Sequence, residues 1–138
     1  MSASLSDILT ALKNGVVAIN GLNSEFTTFT NNVGAPTLLT RASATTSYAT
    51  VYTCPAGVVT YVTDINICNT TGAAITAYVS LVASGGTAGA SNAIFYNTNI
   101  PAYSTMQWTG SQVLGSGGTI QVYSSSTGCT ISISGGVS

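Results

Sequence analysis

Apolar side chains recur through the first quarter of the chain at Leu5, Ile8, Leu12, Ile19, Leu22, Phe26, Phe29 and Val33. Their intervals are 3, 4, 7, 3, 4, 3 and 4, an a/d heptad pattern. Gly15 alone interrupts it, at a d position. Ser4 before Leu5, with Asp7 three residues on, predicts an N-cap with an acid in the first turn. Gly34 and Pro36 predict the stop, and Thr27-Thr28 and Asn31-Asn32 weaken the last turns. Leu9 and Val16 widen the stripe to the e position, and Leu at a with Ile at d leans toward three or four strands. Two readings stay open: a helical bundle between copies, or a lone amphipathic helix lying across its own β domain or a neighbour. In either, Leu5, Ile8, Leu12, Ile19, Leu22, Phe26 and Phe29 are the oligomerising or anchoring residues.

Beyond residue 34 the period changes to two. Residues 51–53, 58–69, 75–83, 93–99, 105–114, 119–126 and 129–134 are short runs rich in Val, Ile, Thr and Tyr. Turn residues bound each run, such as Pro55-Ala56-Gly57, Gly115-Ser116-Gly117-Gly118 and Thr127-Gly128. Apolar residues alternate in Ile65/Ile67, Ile75/Ala77/Val79/Leu81, Met106/Trp108, Ile120/Val122 and Cys129/Ile131/Ile133, so each strand has one buried face. The expected fold is mainly β: an N-terminal amphipathic helix (1–34) followed by an antiparallel β-sandwich or jelly roll (35–138).

Charge is what this chain lacks. It has two basic and three acidic residues and no histidine. They are Asp7, Lys13, Glu25, Arg41 and Asp64, and nothing after Asp64 is charged. Acid–base catalysis wants a group titrating near the working pH, and a Ser or Cys nucleophile wants a base beside it, so an enzyme is not expected. Two cations cannot form a nucleic-acid footprint. The acids are too scattered for Ca²⁺ or Mg²⁺, three Cys without His could hold zinc only with a ligand from elsewhere, and no cofactor is expected. No stretch is apolar and long enough to span a membrane, and no signal peptide is read at the N-terminus. Cys54, Cys68 and Cys129 read as buried thiols, with a Cys68–Cys129 bond disfavoured because the two lie on opposite strand phases. Asn69-Thr70-Thr71 matches a glycosylation sequon that means little without secretion. A surface of Ser, Thr, Asn, Gly and Tyr suits a protein fixed in an assembly.

Gly85-Gly86-Thr87-Ala88-Gly89 lacks the Lys-Ser/Thr ending of a phosphate loop and reads as a mobile surface loop. Ser124-Ser125-Ser126 reads as turn chemistry. Tyr78 and Tyr123 fall on the polar phase of their strands and face outward, which suits contact with sugars or packing between subunits. Trp108, in phase with Met106, reads as core.

Several stretches together carry a resemblance. They are Thr50-Val51-Tyr52-Thr53-Cys54-Pro55-Ala56-Gly57, Val62-Thr63-Asp64-Ile65-Asn66-Ile67-Cys68-Asn69-Thr70-Thr71-Gly72, Val79-Ser80-Leu81-Val82-Ala83-Ser84-Gly85-Gly86, Trp108-Thr109-Gly110 and Gly115-Ser116-Gly117-Gly118-Thr119-Ile120-Gln121-Val122. Over about residues 37–135 the chain resembles the small β-sandwich of tailed-bacteriophage virion proteins, found in fibres, head decorations and tail appendages. The resemblance implies a homotrimer with a helical stem and a β head, capsid or tail proteins as partners, a place in the virion assembled in the bacterial cytoplasm, and no catalytic residues. Two other functions remain open from the residues: a receptor module for a host-surface glycan, and a secreted adhesin subunit.

Overall fold

The computed structural model describes residues 4–32 and 36–138, with the backbone alone for residues 26–32. It divides into two compact units, Met1–Gly34 and Ala35–Ser138.

The first unit is one helix, α1 (Leu5–Asn32). Its start is a reciprocal cap: the Asp7 N–H donates to Ser4 Oγ (3.1 Å) and the Ser4 N–H to Asp7 Oδ2 (3.2 Å). Two amide hydrogens without partners in the helix are thereby satisfied, and the carboxylate sits at the positive end of the dipole. Neither Gly15 nor Asn31-Asn32 ends the helix early. Val33 and Gly34 lie outside the described residues.

The second unit has eight strands: β1 (Thr37–Ser43), β2 (Ala49–Thr53), β3 (Thr60–Asn69), β4 (Ile75–Val82), β5 (Ala93–Ile100), β6 (Thr105–Leu114), β7 (Thr119–Ser124) and β8 (Cys129–Val137). They form two antiparallel sheets of four, ordered β1-β8-β3-β6 and β2-β7-β4-β5. Every connection except β4–β5 crosses from one sheet to the other. That order is the eight-stranded jelly roll. Sequence periodicity finds seven of the strands and misses β1. The adjacent Leu38 and Leu39 hide its alternation, because a register shift between Leu38 and Thr40 inserts an extra residue in this edge strand.

The core lies between the sheets. Val62, Ile65, Ile67, Ile131 and Ile133 come from one, Ile75, Val79, Ile100, Ile120 and Val122 from the other, and all are essentially fully buried. Each such side chain contributes roughly 1.5–3 kcal/mol. A register shift between Val62 and Asp64 lets Val62 and Ile65 both point inward although they are out of phase. Trp108 is only half-buried, packed against this cluster, because β6 is an edge strand.

The strand ends define two ends of the sandwich. At one, Thr37 pairs with Gly135 and Thr60 with Val137, and Val59 and Ser138 exchange backbone hydrogen bonds of 3.3 and 3.0 Å. The chain therefore arrives at the same end where Ser138 lies. At the other end the four crossover loops are knitted together. Thr70 N–H donates to the Gly128 carbonyl (2.9 Å), Tyr103 N–H to Thr71 (3.1 Å), and Ser124 N–H to Thr45 (2.9 Å).

Candidate interaction surfaces

On α1 the described heptad side chains are exposed rather than packed within their own unit. Leu5, Ile8, Leu12, Ile19 and Leu22 are between 48% (Ile8) and 82% (Leu5) exposed, and Leu9 and Val16 beside them are also exposed. Phe26 and Phe29 continue the same backbone register, but their side chains lie outside the described residues. A Cβ at Gly15 would meet nothing within 4 Å, so the gap at this d position leaves the stripe thinner without closing the helix face. An exposed apolar stripe of this kind is a candidate contact surface.

The second surface is aromatic and lies on the outer face of the β2-β7-β4-β5 sheet. Tyr78 on β4 and Tyr123 on β7 are cross-strand partners, and their ring centroids stand 4.9 Å apart. Tyr96 from β5 meets Tyr78 edge-on at 5.3 Å and 90°, and Tyr48 from the β1–β2 loop closes on Tyr123 at 5.6 Å and on Tyr78 at 6.4 Å. The outward direction expected for Tyr78 and Tyr123 is what the register produces, although each ring is half covered by its neighbours.

Tyr96 owes its position to a bulge. Ala77 pairs with Thr98 and Val79 with Phe95, so Tyr96 and Asn97 together face Tyr78. Asn97 takes a left-handed backbone, φ 52, and its Oδ1 accepts a 3.0 Å hydrogen bond from the Tyr78 hydroxyl. Partial burial among the rings, then the neighbouring Tyr123, Tyr96 and Tyr48, hold the Tyr78 hydroxyl above its ordinary pKa. The hydroxyls of Tyr48, Tyr96 and Tyr123 have no hydrogen-bond partner among the described residues. Sequence phase alone singles out Tyr78 and Tyr123. Tyr48, Tyr96 and Asn97 depend on a loop and a bulge, which phase does not show.

The outer face of the other sheet is polar. Arg41 Nε donates to Ser132 Oγ (3.3 Å), and Asp64 accepts from Asn66 Nδ2 and from Gln107 Nε2. No group of three or more His, Cys, Asp or Glu side chains gathers among the described residues, and no helix there is long and apolar enough to cross a membrane.

Other residues marked in the sequence are structural. Asn69 is fully buried, so its side-chain nitrogen is no acceptor for a glycan: it donates to the Ala73 (2.7 Å), Ile100 (3.1 Å) and Pro101 (3.1 Å) carbonyls. The three cysteines are free, with Cys54 and Cys129 buried and Cys68 half-buried on the outward phase. Burial, then the neighbouring Cys68, pushes the Cys129 thiol up to about 11. The glycine-rich loop, read from sequence as a mobile surface loop, is exposed at 83–87 and carries hydrogen bonds of its own: Gly86 N–H donates to Ala83 O (2.9 Å), Gly89 N–H to Asn92 Oδ1 (3.0 Å) and Asn92 Nδ2 to Thr87 O (2.9 Å). It folds back over the sheet and covers Ser80 and Val82, whose outward side chains are buried.

No family model matches the chain, and no curated protein matches it. Among solved structures, the chain is similar to one from the infectious bursal disease virus Gx strain, with a TM-score of 0.38 and 8% identity over 72% of this chain. The match spans 32% of the viral chain, about a third of its length.

Proposed function

We propose that this chain is a non-enzymatic structural protein of a bacteriophage virion, a fibre or decoration subunit that trimerises and attaches to capsid or tail through α1. The observation that carries the reading is the uncovered apolar stripe from Leu5 to Leu22. A side chain such as Ile19 or Leu22 gains roughly 1.5–3 kcal/mol on burial, and the gain recurs in every copy of a bundle. The jelly roll supports the reading as a topology used by viral capsid domains and lectins alike. So does the shortage of charge, which disfavours free diffusion and suits a subunit fixed in an assembly. A helix of 28 residues extends about 42 Å at ~1.5 Å per residue, a useful length for a stem.

Size-exclusion chromatography with light scattering tests the oligomer directly. The expected result is a trimer that Leu22→Asp converts to smaller species while the β circular dichroism persists. A clean monomer of the unaltered chain at micromolar concentration overturns the trimer. Attachment is read by co-sedimentation with particles lacking the protein. If a chain without residues 1–34 still co-sediments at normal occupancy, the helix is not the anchor.

A further inference from the structure

We propose that the Tyr48/Tyr78/Tyr96/Tyr123 surface, with Asn97, is a binding site for an uncharged carbohydrate, taken as a pyranose ring lying on the tyrosine faces.

Four features converge there. The rings are locked by mutual edge-to-face and tilted packing, so a ligand meets a surface whose ordering cost is already met. The β5 bulge spends a left-handed conformation on Asn97 to bring its amide beside Tyr78, and bulges of this kind re-aim side chains at sites. The Tyr78 hydroxyl occupies Asn97 Oδ1, which fixes the amide so that Nδ2 can donate outward. The Tyr48, Tyr96 and Tyr123 hydroxyls, without a partner among the described residues, add donors and acceptors to the apolar rings. A sugar ring has that same mixture, with C–H groups on its face and hydroxyls at its edge.

The alternatives fit less well. All the charged side chains of the sandwich, Arg41 and Asp64, lie on other strands in the opposite sheet, so nothing at the patch selects an anionic sugar. Tyr78 and Tyr123 pack against one another at 4.9 Å, leaving no enclosed cage for a quaternary ammonium. Area argues against a protein partner confined to this patch. With Tyr96 57% and Tyr48 37% exposed and the other two less so, the four rings offer roughly 220–330 Å², taking about 200 Å² per ring. A stable protein interface takes about 800 Å² from each side. The patch also stands toward the end of the sandwich opposite Thr37 and Ser138, since Tyr48 precedes β2 and Tyr123 ends next to Ser124 at the knitted loops.

The proposal goes beyond the virion reading and is independent of it, because purified chain suffices for the test. Saturation-transfer NMR is run with methyl glucoside, methyl galactoside and N-acetylglucosamine, and with N-acetylneuraminic acid and choline as contrasts. The expected result is transfer to the ring C–H protons of at least one neutral pyranoside, absent for choline, and reduced tenfold or more in Tyr96→Ala. Tyr96 is exposed on an edge strand, and an unchanged melting temperature separates lost binding from lost fold. Tyr78→Phe, which keeps the ring and releases Asn97, should weaken binding with the fold intact. The proposal is overturned if no neutral pyranoside responds, if binding survives both variants unchanged, or if choline binds instead. It is also overturned if Tyr96→Ala alters the oligomeric mass, since the patch is then a contact between copies.

Discussion

Replacing Asn69 by Ala should cost the jelly roll about 3 kcal/mol. The side chain is fully buried where β3 ends, and its amide nitrogen serves the carbonyls of Ala73, Ile100 and Pro101. Its Oδ1 accepts from the Thr71 N–H (2.9 Å) and the Thr71 hydroxyl (2.8 Å). One residue thus joins the end of β3, the approach to β4 and the exit of β5. Alanine strands the Ile100 carbonyl, which is buried, at a cost of about 1–3 kcal/mol. The other contacts are partly open to water, which replaces much of what they lose, so together they add nearer ~1 kcal/mol. Domains of this size hold about 5–15 kcal/mol in all, and each kcal/mol moves Tm by about 4–8 °C near 100 residues. A scan by circular dichroism should therefore show a drop of roughly 12–24 °C, while Gln107→Ala on the exposed face moves less than about 4 °C. Asn69→Asp keeps the shape but turns a carboxylate oxygen toward three carbonyls. Its folded-state pKa is raised, so its stability is fully present only below the unfolded value of about 4 and is lost as pH rises through the folded one. If Asn69→Ala melts within about 4 °C of the unaltered chain, the polar tie is not what holds these three strands.

Gly15→Ala should raise the helicity of α1 by up to about 1 kcal/mol without a clash, because the new methyl meets open space, and circular dichroism of the full chain checks it. Gly135→Ala should be severely destabilising, since its Cβ would run into the Tyr61 carbonyl across the β3–β8 ladder; a urea titration should show the midpoint collapse, and an unchanged midpoint would refute the close approach. Cys129 favours the neutral thiol when folded, so its contribution is intact below the ordinary thiol range and fades as pH climbs from about 9 toward 11. Urea midpoints at pH 8 and 10.5 should converge more closely in Cys129→Ala than in the unaltered chain. In the native fold iodoacetamide should label half-buried Cys68 well before Cys129.

What could be read from sequence was whatever obeys a local period. The heptads, the Ser4/Asp7 cap and the alternation through Ile75/Ala77/Val79 or Cys129/Ile131/Ile133 each express which side of one element is wet, and they give the helix and most of the sandwich. Period-based reading fails where the backbone inserts a residue. The shifts at Leu38/Thr40 and Val62/Asp64 hid β1 and broke the phase of β3. Long-range contacts are the other blind spot. Nothing local says that Tyr48 and Tyr96 will meet Tyr78, or that Asn69, seen first as a sequon, will lie at the junction of three strands. The Gly85–Gly89 stretch looks loose by composition yet covers Val82, because turn-forming glycines allow a tight fold-back as readily as motion.

Thr37 and Ser138 lying at one end of the sandwich has a practical consequence for anyone handling the protein. A purification tag or fluorescent domain appended after Ser138 would emerge at the end of the sandwich where β1 begins, beside Thr37 and Val59. The crossover loops at residues 44–48, 70–74, 101–104 and 125–128 lie at the opposite end of the sandwich. Of these, 70–74 and 101–104 are pinned through Asn69 and Thr71 and 44–48 carries Tyr48, which leaves the exposed stretch 125–127 as the place to splice a foreign peptide for display.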